Sequence, residues 1–201
     1  MREFLYFSRN APTTGNFGDD LMKAGRMDIA LQVVIAAFFL SNRTRDNVRL
    51  HLVFAGSPDP QKHLELNPIV NGEQGVQISK KDVAGLIKRM LYKGKPGQRI
   101  EAFPGYFVEK KSVLKVLEEM AENGKDIYVL DPKGENIRDI EIKENPVFVL
   151  GDQKGIPHKE LRRLKKEFIP VSIGKKEYFA SQTVVVVNHE LDLREEKGSV
   201  F

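Results

Sequence analysis

Two apolar runs late in the chain each end in glycine and polar residues. The first is Pro146-Val-Phe-Val-Leu-Gly151-Asp152-Gln-Lys-Gly155 and the second is Phe168-Ile-Pro-Val-Ser172-Ile173-Gly174-Lys175-Lys-Glu-Tyr178-Phe-Ala-Ser181. Strands that stop at a glycine let main chain approach a ligand at the carboxyl ends of an α/β sheet. In the first run, Asp152 or nearby amides can fix polar groups. A plain strand-to-helix turn, with Pro157 at the first helical position, explains the same residues equally well. In the second, main-chain groups around Gly174 can read an adenine edge between Ile173 and Tyr178, although an ordinary loop is the alternative. Neither run is a Walker loop or a GxGxxG fingerprint. A third constellation, Arg26-Met-Asp28, follows the loop Thr13-Thr14-Gly-Asn16. An arginine that grips phosphate beside a carboxylate that takes a proton suits chemistry on an RNA base. A structural ion pair near a helix start would use the same two residues.

Composition removes several other chemistries. The 201 residues contain no cysteine, so disulfides, thiolate metal sites and cysteine nucleophiles are excluded together. Four scattered histidines (His51, His63, His158 and His189) show no ligand spacing, and no catalytic metal is expected. The longest apolar run, Ile29 to Leu40, falls short of the roughly 20 residues a bilayer requires, and the start of the chain lacks the layout of a signal peptide. A cytoplasmic protein is expected. A net charge of +4 is compatible with a polyanionic partner. Basic clusters at Lys154 to Lys166 and at Lys88 to Arg99 would serve as phosphate contacts or simply as solvated faces.

The elements that must position these groups follow from periodicity and punctuation. Strands are expected at Glu3–Phe7, Val48–Ala55, Arg99–Ala102, Ile127–Leu130, Val147–Leu150 and Phe168–Ser172, with a turn at Asp131–Gly134. A hairpin is expected over Ile69–Ile78. A helix apolar nearly all round begins near Met22 to Gly25 and runs to Leu40, so it is buried on most of its surface. Ser79 caps a helix that reaches Tyr92. Further helices cover Val113–Asn123, Pro157–Glu167 and Phe179–Leu193. The valines at 184 to 187 favour a strand by propensity, and the last of these helices rests on the resemblance described next.

The order and spacing of these pieces resemble the TrmY family, the archaeal tRNA pseudouridine-54 N1-methyltransferases of the SPOUT superfamily. The front signature is Ala11-Pro-Thr-Thr-Gly-Asn-Phe, Asp19-Asp-Leu, Ala24-Gly-Arg-Met-Asp28 and Ala36-Ala-Phe-Phe-Leu-Ser41. The rear motifs are Val129-Leu-Asp-Pro-Lys-Gly134, Phe148-Val-Leu-Gly-Asp-Gln-Lys-Gly155 and Val187-Asn-His-Glu-Leu-Asp192. The resemblance implies an α/β SPOUT fold with a mostly parallel central sheet flanked by helices. It implies one domain over 1–201, with a C-terminal trefoil knot and the cofactor site within about 127–193. It further implies a tight homodimer and a tRNA T-arm as partner, with no membrane.

Carried over by position, Leu130, Gly151, Val171, Ser172, Ile173, Gly174, Lys175, Tyr178 and Thr183 would contact S-adenosylmethionine. Thr183 stands where relatives commonly carry cysteine, so no mechanism here runs through a thiol. Asp28 would orient N1 of the target base or accept its proton. Arg26 and Arg9 would contact phosphate or carbonyl groups, and Thr13, Thr14 and Asn16 would shape the base pocket. Ribosomal RNA pseudouridine, a ribose 2′-hydroxyl and a non-catalytic RNA-binding role remain alternatives at this point.

Overall fold

In the computed structural model, residues 1–70, 73–74, 82–95 and 97–198 are described. An eight-stranded sheet forms the centre, in the order β10-β8-β9-β1-β2-β3-β7-β6. Its strands are β1 (Arg2–Ser8), β2 (Val48–Phe54), β3 (Lys62–Leu66), β6 (Ile100–Phe103), β7 (Tyr106–Lys110), β8 (Asp126–Asn136), β9 (Pro146–Gly151) and β10 (Ile169–Ser172). A separate two-stranded ribbon pairs β4 (Ile69–Val70) with β5 (Glu73–Gln74). The ribbon matches the front of the expected hairpin, whose turn residues Asn71 and Gly72 lie outside the described residues. From β10 to β2 every pairing is parallel, and from β2 outward to β6 every pairing is antiparallel.

Helices cover both faces, which is why the parallel strands read as continuous apolar runs instead of alternating ones. On one face Phe4 and Tyr6 of β1 pack with α1 (Met27–Phe38), α2 (Val83–Lys93) and α5 (Ala180–Glu196). On the other, Leu5 and Phe7 pack with α3 (Val113–Glu122) and α4 (His158–Glu167). The start of β1 is tied to α5 by Arg2, which is fully buried and donates to the Asn188 carbonyl at 2.9 Å and to Asp192 at 2.8 Å. Arg45 grips the same Asp192 carboxylate from outside. Among the described residues no helix is long and apolar enough to cross a membrane.

Several elements differ from the sequence expectation. The Asp131–Gly134 stretch is not a turn, because β8 continues through it to Asn136; β10 pairs on either side of it, at Tyr128–Val129 and at Glu135–Asn136, with a register shift between the two. Strands β3 and β7 were not expected, since His63, Glu65 and Glu109 interrupt their apolar pattern. The first helix begins at Met27, because Gly25 and Arg26 both take positive φ (61° and 62°) and cannot continue a right-handed helix backward. The valines at 184 to 187 are helical: Val184 and Val187 are buried against the core, so packing outweighs strand propensity. Ser79, expected as a cap, lies outside the described residues.

Polar residues on β3 and β7 form a buried chain with β1 and β2. His51 Nε2 lies 3.0 Å from Glu3 Oε2, His51 Nδ1 lies 2.9 Å from His63 Nε2, and His63 Nδ1 lies 2.9 Å from Glu109 Oε1. Burial alone would raise the pKa of both carboxylates, but hydrogen bonds from the imidazoles, together with Lys125 at Glu3 and Lys111 at Glu109, hold each at about 2. Burial lowers the His63 pKa below its usual 6.5. All three groups bind protons more readily in the unfolded chain, so each contributes stability that is lost on acidification. The melting temperature is therefore expected to fall in two stages, below about pH 6.5 for His63 and below about pH 4.5 for the carboxylates. Glu109→Gln should flatten part of the second stage. A melting temperature that stays level from pH 7 to pH 3 would contradict this arrangement.

Candidate functional site

At the carboxyl ends of β8, β9 and β10 the chain opens a cleft of about 410 Å³, closed on one side by the start of α5. Its floor is apolar, from Leu130, Leu150, Ile156, Val171 and Ile173, and its rim carries Asp131, Asp152, Lys154 and Lys176. The geometry starts with Gly151. A Cβ there would lie 2.7 Å from the Gly155 carbonyl carbon and the Ile156 nitrogen, so only glycine lets the strand end meet the following turn. Gly155 closes that turn with φ of 66° and donates its N–H to the Asp152 carbonyl at 2.8 Å. The Asp152 carboxylate accepts from the Arg9 amide at 2.8 Å, the Lys154 amide at 2.9 Å and the Ser8 hydroxyl at 3.3 Å.

Seven of the nine positions expected around the cofactor line this cleft: Leu130, Gly151, Val171, Ile173, Gly174, Tyr178 and Thr183. Ser172 and Lys175 do not line it. The Ser172 hydroxyl turns inward, donating to the Gly174 carbonyl at 3.1 Å and accepting from the Gly174 amide at 3.0 Å, so it fixes the loop shape. Asp131 is a lining residue the sequence reading missed, because it was assigned to a turn. Burial would raise its pKa, but Lys165 at 2.7 Å and the Lys133 amide bring it below the usual carboxylate value. The amides of Lys175 to Tyr178 make no hydrogen bond among the described residues. An apolar slot edged by uncommitted main-chain groups and by glycines suits a nucleoside with an attached amino-acid chain, and S-adenosylmethionine is such a molecule.

The second group of residues lies beside the cleft and does not line it. Arg26, at the left-handed residue before α1, folds its guanidinium onto Asp28, with Nε to Oδ1 and Nη2 to Oδ2 both at 3.0 Å. That two-point contact lowers the Asp28 pKa, so its carboxylate is a weak base. The left-handed backbone at Arg26 costs of order 1–2 kcal/mol, and the residue before it must be glycine, since a Cβ at Gly25 would fall 1.9 Å from the Asn10 carbonyl oxygen. Arg9 follows β1, and its Nε is buried without a partner. Thr13 is committed elsewhere: its hydroxyl accepts from the Asp59 amide at 2.8 Å and donates to the Gly56 carbonyl at 3.3 Å. Thr14 accepts from the Asn16 amide, and Asn16 is exposed.

The two basic clusters differ. Around α2, Lys88, Arg89 and Arg99 are paired with Asp19, Asp82 and Glu65. On α4, Lys159, Arg162 and Lys166 join none of the ion pairs among the described residues, while Arg163 and Lys165 are paired. Two of the four histidines, His51 and His63, meet in the buried chain described above, and among the described residues no group of three or more His, Cys, Asp or Glu side chains could hold a metal ion. Because a side chain at 151 would force the turn open, Gly151→Ala is expected to weaken S-adenosylhomocysteine binding about 10- to 100-fold by calorimetry. Unchanged affinity would remove this cleft as the nucleoside site.

Comparison with known proteins agrees with this geometry. A family model described as "Putative SAM-dependent RNA methyltransferase" matches residues 1–196. A protein of Methanocella arvoryzae named tRNA (pseudouridine(54)-N(1))-methyltransferase is 36% identical over 201 aligned positions, covering 96% of this chain and all of that one. A protein of the same name from Methanococcoides burtonii is 30% identical, covering 96% of each chain. The crystal structure of Archaeoglobus fulgidus Nep1 bound to S-adenosylhomocysteine shares the fold, with a TM-score of 0.53 at 16% identity over 97% of this chain and 98% of that one. An α/β sheet with its glycine-rimmed cleft at the strand ends, matched from end to end by that family model, makes this chain a member of the S-adenosylmethionine-dependent RNA methyltransferase family.

Proposed function

We propose that the protein methylates N1 of pseudouridine at position 54 in the T-loop of tRNA. The observation that carries this reading is the end-to-end correspondence with relatives of that name, joined to a cleft whose residues suit the cofactor. S-adenosylmethionine supplies a methyl group already activated by its sulfonium. The chain's own task is then to align the acceptor and manage one proton. N1 of pseudouridine carries a hydrogen that uridine lacks at its glycosidic nitrogen, so discrimination follows from which ring presents an N–H. Asp28 accepts that N–H as a hydrogen bond and takes the proton as the nitrogen gains its methyl group. Its lowered basicity favours orientation over prior removal of the proton. Arg26 holds Asp28 and keeps Nη1 for a ring carbonyl or phosphate. Arg9, half-buried at the end of β1, is assigned to the RNA through its guanidinium, and Thr13, Thr14 and Asn16 shape the loop beside it. Ser172 and Lys175 complete the cofactor loop, one by bracing Gly174 and the other by its main chain. The target base must leave its stack to reach such a site.

The same reading includes a homodimer and a trefoil knot. Helices α1 and α5 present an apolar groove made by Ile35, Ala36, Phe39, Val185 and Val186, and Val185 is 52% exposed. A helix apolar on both faces needs a second covering surface, and a second copy of this chain is the occupant we assign. After β9 the chain pairs again as β10 on the far side of β8, which is the crossover a terminal knot requires. Lys159, Arg162 and Lys166 are the cations available for T-arm phosphates. We read the protein as cytoplasmic, as a tRNA substrate requires.

Methyl transfer from labelled cofactor to a T-arm stem-loop with pseudouridine at 54 should proceed, while the uridine version stays unlabelled. Equal labelling of both, or of neither, would contradict the reading. Asp28→Asn should lower turnover about 10²-fold or more with cofactor affinity intact. Full turnover in that variant would remove Asp28 from the chemistry. Val185→Glu is expected to shift sedimentation from dimer to monomer, and an unchanged dimer would place the interface elsewhere.

A further inference from the structure

Asp152 is a buried charge of unusual kind. Its carboxylate is 7% exposed, yet none of the ion pairs among the described residues includes it. An unpaired buried carboxylate is costly unless hydrogen bonds replace its water. Here the replacements come from two separate segments. Ser8 and Arg9, at the end of β1, supply a hydroxyl and an amide to Oδ2, while Lys154, inside the Gly151–Gly155 turn, supplies an amide to Oδ1. The backbone repeats the link, since the Asp152 amide donates to the Phe7 carbonyl at 2.9 Å. One segment leads into the cleft, and the other carries Arg9, whose buried Nε has no partner. Displacing either segment strips donors from the carboxylate, so the favourable position of each depends on the other.

We propose that Asp152 is a positioning residue that couples the two halves of the site, so that cofactor and RNA each tighten the other's binding. The proposal rests on the reading of the cleft as the cofactor site and of Arg9 as an RNA contact. A ligand seated on the Gly151–Gly155 turn fixes Lys154 and Asp152. Asp152 in turn fixes the Arg9 main chain, and the arginine reaches its RNA oxygen from a set position. The linkage is reciprocal, so RNA must raise cofactor affinity by the same factor. Asparagine at 152 keeps one acceptor and turns the other edge into a donor, which faces an N–H and cannot bond it.

The test is the affinity of a pseudouridine stem-loop with and without saturating S-adenosylhomocysteine, in the full-length protein. The wild type should bind RNA about tenfold more tightly with the nucleoside present. Asp152→Asn should bring that ratio to about one while the amide spectrum away from the cleft stays that of the wild type, a pattern that general loss of structure would not produce. Ser8→Ala removes a single donor and should lower the ratio partway, so it decides the matter if the asparagine variant does not fold. A wild-type ratio of one, or a ratio retained in both variants, overturns the coupling. A protein that discriminates pseudouridine from uridine in methyl transfer yet shows no coupling overturns this proposal alone. A protein that binds neither ligand overturns the functional reading and the coupling together.

Discussion

The site depends on the absence of a side chain at Gly151. Main chain from Gly155 and Ile156 sits where a Cβ would be, and that contact lets β9 end directly against its own following turn. With the turn so close, Asp152 faces back to the end of β1, whose Phe7 is in register with Gly151. Parallel pairing then brings the ends of β9 and β1 to one edge of the sheet, beside Leu130, where β8 stops pairing with β9. The cleft floor, the loop before α1 and the loop before α5 are arranged around that edge. Polar groups do the fine positioning, and burial on both sheet faces makes the edge rigid.

Electrostatics determine what the second half of the site can do. A carboxylate held at two points by a guanidinium is a poor base but a well-oriented acceptor. The arginine that holds it lies in the left-handed region, next to a glycine packed closely on Asn10. This division suits a reaction whose electrophile arrives activated, because alignment contributes more than proton abstraction. The distant Glu3–His51–His63–Glu109 chain has a different role, joining the antiparallel strands to the parallel core through consecutive buried polar contacts.

Much of this was legible in the residues. The two glycine-terminated runs marked the cleft, and seven of nine carried-over positions line it, because a strand end and its turn are local features. Ser172 and Lys175 escaped that logic, since adjacent residues in a loop point to opposite sides. Asp131 was missed for the reverse reason: Pro132 and Gly134 look like a turn, yet the segment stays within β8, as the stretch that β10 skips between its two pairings. Strands β3 and β7 were hidden because one face of each carries histidine or glutamate, which read as surface until they are seen bonded to each other. The valine run in α5 needed tertiary context, as did two of the donors to Asp152, Ser8 and Arg9, which lie more than a hundred positions away.

The central claim is that the nucleoside cofactor occupies the cleft at the ends of β8, β9 and β10. Amide chemical shifts followed during titration with S-adenosylhomocysteine test it most directly. The account predicts that the largest shifts fall on Leu130, Gly151, Gly155, Ile173 and Gly174, saturating at one nucleoside per chain. Binding that leaves these amides unmoved while shifting others, or no binding at all, would contradict it.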